Sequence, residues 1–466
     1  MSRRSRVSPG LVSLFLLGGL GCAGNDQPAA PRVAAPPPPT PYLQAALGAA
    51  RFVDAHAREV PTGLSWLPPV EDWPVAEHGM YNGGCGVVRF WLEAWRHTGD
   101  PIHLEKARRG GDHILAAVPE SKGVSALYSL YSGWGGPLWT LEQLHAATGD
   151  PRYREGALRL LEQIHAAAQD AGTVDGRDAG VHWSTFGETT DVFGGTAGIG
   201  LLLLWAADAF DHPPSRALAA RAGRWLLGAS VERTGGLTWP IDKGGPRVMP
   251  NFSHGTAGVA YFLATLYQAT GEKDFLDAAL AGAQHLVTIA EKGDGQVCLV
   301  FHEEKVGEDR HYLGFCHGPV GTTRLFERLY LVTRDLQWRA WVDRGTRGIL
   351  ESGIPEQRTA GFWNNVSQCC GSAGVIEHVL HQYRRTRDPK LLAFARHMGD
   401  DLLARATEQS GGLAWVQAEH RVKPELLEAQ VGYMQGAAGI GITLLHLDAA
   451  VRGLEVQRLV FVDDPW

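Results

Sequence analysis

No stretch of this sequence is long and apolar enough to cross a bilayer. The longest leading run, Leu11 to Leu20, falls well short of the roughly 20 residues a spanning helix needs. A basic excess is also missing. The formal net charge is -7, which argues against nucleic acid as the main partner. Cysteine is scarce: beyond Cys22 only Cys85, Cys298, Cys316, Cys369 and Cys370 occur. Their number is odd, and adjacent residues such as Cys369 and Cys370 pair only under strain. That set is no obvious disulfide scaffold, so a metal site deserves weighing instead. What the chain has is length and apolar content. Its 466 residues, 44% hydrophobic, suffice for one large domain or two ordinary ones.

The N-terminus reads as an export signal. Arg3, Arg4 and Arg6 form a positive region ahead of the short apolar run. Gly19-Leu20-Gly21-Cys22 resembles a bacterial lipobox, with Gly19 where Leu is usual. On that reading residues 1–21 are removed and Cys22 is lipidated. The alternative is ordinary cleavage beside an incidental cysteine. Residues 22–41 are rich in Ala and Pro, including Pro36 to Pro39, and suit a semi-rigid spacer. The expected product is a bacterial lipoprotein, anchored in a membrane and facing the periplasm or cell exterior. Its folded domain would span residues 42–466.

That domain is built on a repeat. Gly-x-x-Gly followed by an apolar, small-residue run begins at Gly83, Gly133, Gly195, Gly255, Gly318, Gly371 and Gly436. The intervals are 50, 62, 60, 63, 53 and 65 residues. A second marker follows several of these runs: Thr98-Gly-Asp-Pro101, Thr148-Gly-Asp-Pro151, Thr270-Gly-Glu-Lys273 and Thr386-Arg-Asp-Pro389. Asp accepts from free helix N–H groups and Pro fits the first helical turn, so each starts a helix. Residues after it, such as Tyr153, Ala157, Leu160 and Ile164, share one face. A third marker, Gly-x-x-Trp, ends at Trp66, Trp183, Trp239 and Trp415, with a shortened copy at Gly361-Phe-Trp363. It reads as a short extended piece. Most of these Trp residues suit packing, although sugar stacking is an alternative. One unit is therefore an amphipathic helix, a short strand and a more uniformly apolar helix. Seven units predict an all-α fold, an α/α toroid of seven helical hairpins; an open solenoid is the alternative.

The seven glycine motifs carry different side chains. The fourth is Ser253-His254-Gly, the fifth Phe315-Cys316-His317-Gly and the sixth Gln368-Cys369-Cys370-Gly. Asp191 precedes the third. This ordered set resembles the lanthionine synthetase C-like family, over Pro41 to about Leu459. Members have seven such repeats on an α/α toroid. Their fifth-repeat Cys and sixth-repeat Cys-His bind zinc, and their fourth-repeat His and an Asp before the third glycine pair serve acid–base catalysis. The resemblance thus implies one zinc ion per chain on Cys316, Cys369 and Cys370, with Asp191 and His254 as catalytic groups. His317 would face the same cavity as a second proton carrier or supporting group. Phe315 stands where the family has Trp, a mild change. Cys370 stands where the family has His, giving a three-thiolate ligand set like that of some cyclases fused to dehydratases.

Zinc's taste for thiolate supports this independently, although buried structural thiols or oxidised cysteines would also fit the bare sequence. The implied reaction is addition of a thiol to dehydroalanine or dehydrobutyrine, forming a lanthionine-type thioether. Its partner is a dehydrated or otherwise electrophilic peptide, or a small thiol, and a separate dehydratase is needed because no such domain fits in the chain. Two readings from other classes compete. A glycan-processing toroid would need paired carboxylates, for which Glu188, Asp191 and Glu377 are candidates. A non-catalytic lipoprotein would use the toroid as a binding surface.

Overall fold

A computed structural model describes residues 38–67, 77–118, 128–184, 187–293, 296–298, 312–357, 365–416 and 428–464. The export signal, Cys22, the spacer to residue 37 and the Gly361-Phe-Trp363 copy lie outside them.

Among the described residues, fourteen helices alternate between two roles. The outer set is α1 (Pro41–Ala55), α3 (Pro101–Ala117), α5 (Pro151–Ala166), α7 (Pro213–Ala229), α9 (Lys273–Ile289), α11 (Leu336–Leu350) and α13 (Pro389–Ala404). These are amphipathic and bury one face. The inner set is α2 (Gly84–Thr98), α4 (Gly135–Thr148), α6 (Thr196–Ala209), α8 (Thr256–Thr270), α10 (Pro319–Thr333), α12 (Ser372–Thr386) and α14 (Ala437–Arg452). Each inner helix packs against the next, and α14 packs back on α2. The last inner helix takes its outer partner from the other end of the chain: α1 packs on α14. The toroid is thus closed by its first and last helices.

The turns between inner and outer helices follow the expected marker. Thr98 returns its hydroxyl to the Ala94 carbonyl at 2.7 Å, Gly99 takes φ 72°, and Asp100 accepts from the Ile102 N–H at 3.0 Å. Arg387 occupies the glycine position of its own copy at φ 58°, a left-handed conformation costly for a side-chain-bearing residue. Thr333-Arg334-Asp335 is a further copy, hidden in the sequence because Leu336 replaces the proline; Asp335 caps at the Gln337 N–H.

A ring of seven hydrogen bonds runs across the inner helix starts. The N–H of Tyr81 donates to the Tyr131 carbonyl, Tyr131 to Phe193, and Phe193 to Ser253. Ser253 donates to Cys316, Cys316 to Cys369, Cys369 to Met434, and Met434 back to Tyr81. Every member stands two residues before the first glycine of its motif. The second glycine has a steric reason: a Cβ on Gly321 would lie 1.9 Å from the Phe315 carbonyl oxygen. Only a hydrogen lets the loop backbone come that close to the helix.

The extended pieces pair more fully than expected. Most become two-stranded hairpins, as in β1 (Arg58–Val60) with β2 (Gly63–Ser65). Their Trp side chains clamp the outer helices. The indoles of Trp183, Trp239 and Trp415 donate to the Ile164, Leu226 and Leu402 carbonyls at 2.7–2.9 Å. All three are buried, so they are packing groups rather than sugar platforms.

The inner helices are less uniformly apolar than their motifs suggest. Arg89, Glu93, Arg324, Glu377 and His446 form a charged interior that the C-terminal segment enters. Arg89 donates to the Leu459 carbonyl at 2.9 Å, and Glu93 accepts from the Leu459 N–H at 2.7 Å. Asp463 takes the Tyr131 hydroxyl at 2.6 Å. Glu377 meets His446 at 2.7 Å, and opposite charges facing each other in this way are what a buried charge requires.

Candidate metal and acid–base site

The hydrogen-bond ring dictates which side chains meet. Residues one and two places before each first glycine sit around a common axis. In repeats four to six those places hold Ser253-His254, Cys316-His317 and Cys369-Cys370. Cys316 Sγ lies 3.1 Å from Cys370 Sγ and 3.2 Å from Cys369 Sγ. None of the three is in a disulfide, and Cys316 and Cys369 are buried. Together they form a cluster able to hold a metal ion. Zinc–sulfur bonds of about 2.3 Å in a tetrahedron need sulfurs roughly 3.8 Å apart, so small outward side-chain rotations would admit the ion.

The thiols already influence one another. Hydrogen bonds with Cys316 and Cys370 pull the Cys369 thiol well below its usual range, and Tyr81 adds to the effect. The same contacts with Cys316 and Cys369 push Cys370 up. Three thiolates this close repel strongly, and a soft dication is the group that lets all three carry charge.

Beside the thiols stands an oriented imidazole. Asp191 Oδ2 meets His254 Nδ1 at 2.7 Å, while Asp191 Oδ1 accepts from the Gly194 N–H at 2.7 Å. Asp191 is 2% exposed, so its carboxylate is fixed and the ring is held with Nε2 turned away from it. Burial works against the imidazolium. The hydrogen bond and charge of Asp191, with Cys369 behind them, nonetheless raise His254 above its ordinary value. The His317 ring is stacked on His254 at 5.9 Å, and Phe193 covers another side at 5.1 Å. All six residues predicted for the site therefore come together; Cys22 lies outside the described residues. Cys85 is buried in the core, as a small apolar side chain would be.

Sequence reasoning missed Tyr81. Its hydroxyl accepts from Gln435 Nε2 at 3.0 Å and hydrogen-bonds Cys369. Burial, then the three cysteines, raise it well above the usual phenol range, so it stays a neutral donor. Tyr81, Phe193 and Gln435 occupy the same two places in repeats one, three and seven. Aligning those positions across all repeats, rather than scanning for His and Cys, would have found them.

A cleft lined by Tyr312, Leu313, Ile354, Pro355 and Met398 opens onto Cys370. The carboxylates named for glycan chemistry do not pair with one another. Asp191 is committed to His254, Glu377 meets His446 at 2.7 Å, and Glu188 lies 4.0 Å from His182.

Fold and site together define a closed α/α toroid whose axis carries a thiol cluster and an Asp–His pair. The chain belongs to the lanthionine synthetase C-like proteins, whose family model matches residues 74–454. Among solved structures it is similar to nisin cyclase, at 17% identity and a TM-score of 0.54, over 81% of this chain and 94% of that one. An α-mannanase from Bacteroides thetaiotaomicron (9% identity, TM-score 0.46) covers 89% of this chain and 96% of its own. Cellobiose 2-epimerase from Spirochaeta thermophila (15%, 0.47) covers 78% and 96%. Likeness at these identities speaks to the fold alone. No curated protein matches the chain in sequence.

Proposed function

We propose that this protein is a zinc-dependent enzyme that adds a thiol to a dehydroalanine- or dehydrobutyrine-type acceptor, yielding a thioether. The observation that carries this reading is the convergence of Cys316, Cys369 and Cys370 beside the Asp191–His254 pair. The three cysteines would hold the ion, which supplies a lowered pKa for a substrate thiol at neutral pH.

The chain's own residues account for the rest. The substrate thiol gives up its proton to solvent, from which His254 recovers the one it donates, and its sulfur forms a bond to the acceptor's β-carbon. The C=C π pair moves onto the α-carbon and carbonyl. His254 then donates a proton to the α-carbon, with Asp191 fixing its tautomer and its direction. Tyr81 offers a hydrogen bond to the oxygen as it gains charge, and the positive ends of the α8, α10 and α12 dipoles favour that charge although their first N–H groups already donate to loop carbonyls. Phe193 limits water around the imidazole. The cleft beside Cys370, lined also by Gln357, Asp401 and Arg405, suits a peptide segment with both apolar and polar groups. A separate dehydratase would supply the acceptor. A lipid on Cys22 would keep the domain at a membrane outside the cytoplasm, where a small thiol is an alternative to an internal cysteine. The separate partners of Glu188, Asp191 and Glu377 disfavour glycan hydrolysis, which needs two cooperating carboxylates.

The test begins with the zinc content of the mature domain beside a Cys369→Ala/Cys370→Ala variant. Thiol addition to a dehydroalanine peptide is then followed by mass spectrometry. The expected result is zinc at the thiol cluster and a mass gain equal to the added thiol, both lost in the variant. Thiol addition that proceeds equally fast in the metal-free variant would overturn the proposal.

A further inference from the structure

A second cluster of metal-ligating side chains lies in the first repeat, apart from the thiols. It joins the loop before α2 to the C-terminal half of the outer helix α3. Glu77 and His78 come from the loop and His113 from the helix, with one ligand atom of each within 4.8 Å of the others. Glu77 Oε1 and His113 Nε2 are 3.0 Å apart. Two ligands on one zinc ion, with bonds of about 2.0–2.1 Å, stand roughly 3.3 Å apart, so this pair is almost at bonding separation.

Each of the paired ligands has a supporting partner. The Thr62 hydroxyl lies 2.7 Å from His113 Nδ1, which leaves Nε2 to face Glu77. The Ser65 hydroxyl donates to Glu77 Oε1 at 2.5 Å. Such outer partners are what metal-binding histidines and carboxylates use to hold their orientation. Both come from the β1–β2 hairpin, so three local elements converge here.

His78 is the independent sign of a ligand. It is 5% exposed, and its Nδ1 is buried with no hydrogen-bond partner. Its ring meets His113 edge-on at 5.0 Å and lies over Trp134 at 6.2 Å. An unpaired buried ring nitrogen costs on the order of 1–3 kcal/mol unless something binds it.

We propose that Glu77, His78 and His113 form a second zinc site, a two-histidine, one-carboxylate set that fastens the loop before α2 to helix α3. The site uses no thiol and is independent of the thioether reading. Its role is structural: it pins the start of the first inner helix, whose α2 N-terminus takes the His78 carbonyl at Cys85 N–H. An accessible edge exists for exchange, since the Glu77 and His113 side chains are 11% and 17% exposed.

The test is metal stoichiometry and Co²⁺ spectroscopy on the mature domain, loaded and then freed of loose metal. Wild type is expected to retain about two zinc ions per chain. Cys316→Ala/Cys369→Ala/Cys370→Ala and His78→Ala/His113→Ala are each expected to retain about one. Co²⁺ in the cysteine variant should give d–d bands without a thiolate charge-transfer band. Glu77→Gln keeps the side chain's shape. It should weaken zinc at this site at least tenfold while circular dichroism stays that of wild type. Wild type holding one zinc that the cysteine variant loses entirely would overturn the second site while leaving the thiolate site standing. A second zinc unaffected by both His78→Ala/His113→Ala and Glu77→Gln would overturn it as well.

Discussion

Consider the substitution Gly321→Ala. The added Cβ would stand 1.9 Å from the Phe315 carbonyl oxygen and 2.7 Å from the Phe252 Cβ, whereas real Cβ atoms keep at least 3.0 Å. The loop carrying Phe315 and Cys316 must retreat by more than an ångström, because the obstacle is backbone rather than a flexible side chain. Overpacking of this kind costs about 3 kcal/mol. The retreat also strains the ring bond from Cys316 N–H to the Cys369 carbonyl, now 3.2 Å, adding about 1 kcal/mol. Urea unfolding should therefore show a loss of about 4 kcal/mol. The same movement displaces one of three thiols, so zinc should be lost to a chelator faster than from wild type. Gly198→Ala is the control. Its Cβ would lie 2.0 Å from the Val192 carbonyl oxygen, a like clash in a repeat without thiols. It should cost similar stability yet keep the thiolate-bound zinc. A Gly321→Ala protein as stable as wild type, with its zinc retained, would refute the claim that this glycine exists to let the thiol loop approach the helix.

Three further outcomes follow from the same geometry. Asp448 accepts from Thr40 N–H at 3.2 Å, from His97 Nε2 at 2.7 Å and from Arg452 at 3.0 Å, tying α14 to the start of α1. Burial opposes its charge, but these donors hold it down at about 2. Its folded value lies below its unfolded one. Its contribution is therefore full above roughly pH 4 and vanishes as pH falls toward 2; Asp448→Asn should cost about 2 kcal/mol at pH 7 and much less near pH 2.5 in denaturant unfolding. Arg387→Gly should raise stability by about 0.5–1 kcal/mol, because the native φ of 58° suits glycine and not arginine; urea midpoints decide it. Cys22→Ser should move the protein from the membrane fraction to the soluble one and abolish metabolic labelling with a fatty acid. Unchanged labelling would remove the proposed anchor.

Much of the fold was legible because its constraints are local and repeated. Asp before Pro starts a helix whatever surrounds it, and two glycines three apart mark a backbone approach that admits no side chain. Seven copies then leave few closed arrangements. What stayed hidden depends on distant residues. That α1 completes the seventh hairpin is decided by packing against α14, and nothing near Pro41 announces it. The charged interior was missed because Arg89, Arg324 and Glu377 sit in helices whose motifs read as apolar. Their partners Leu459 and Asp463 come from a C-terminal segment with no motif at all. At the site, His and Cys drew attention by their chemistry. Tyr81 did not, although it holds the same register as Cys316 and Cys369. Glu77 and His78 were overlooked for a different reason: their partner His113 lies on an outer helix, outside the glycine register.

The departure at Cys370 ties these parts together. In the family pattern this place holds an imidazole, which brings no charge to a metal. A thiolate there makes the ligand set one unit more negative, so with a dication the site stands at -1 rather than zero. Excess negative charge keeps an incoming sulfur electron-rich and holds it less tightly, which favours attack over storage. The same charge reaches His254, where Cys369 already adds to Asp191 in favouring the imidazolium. In the proposed reaction, this one substitution would sharpen the nucleophile beside an imidazole that Asp191 and Cys369 already favour as its cation. Asp191 is needed all the more in such a field. Without its 2.7 Å bond the His254 ring would be free to turn Nδ1 toward the thiols, and in the proposed reaction its proton would go to sulfur instead of carbon.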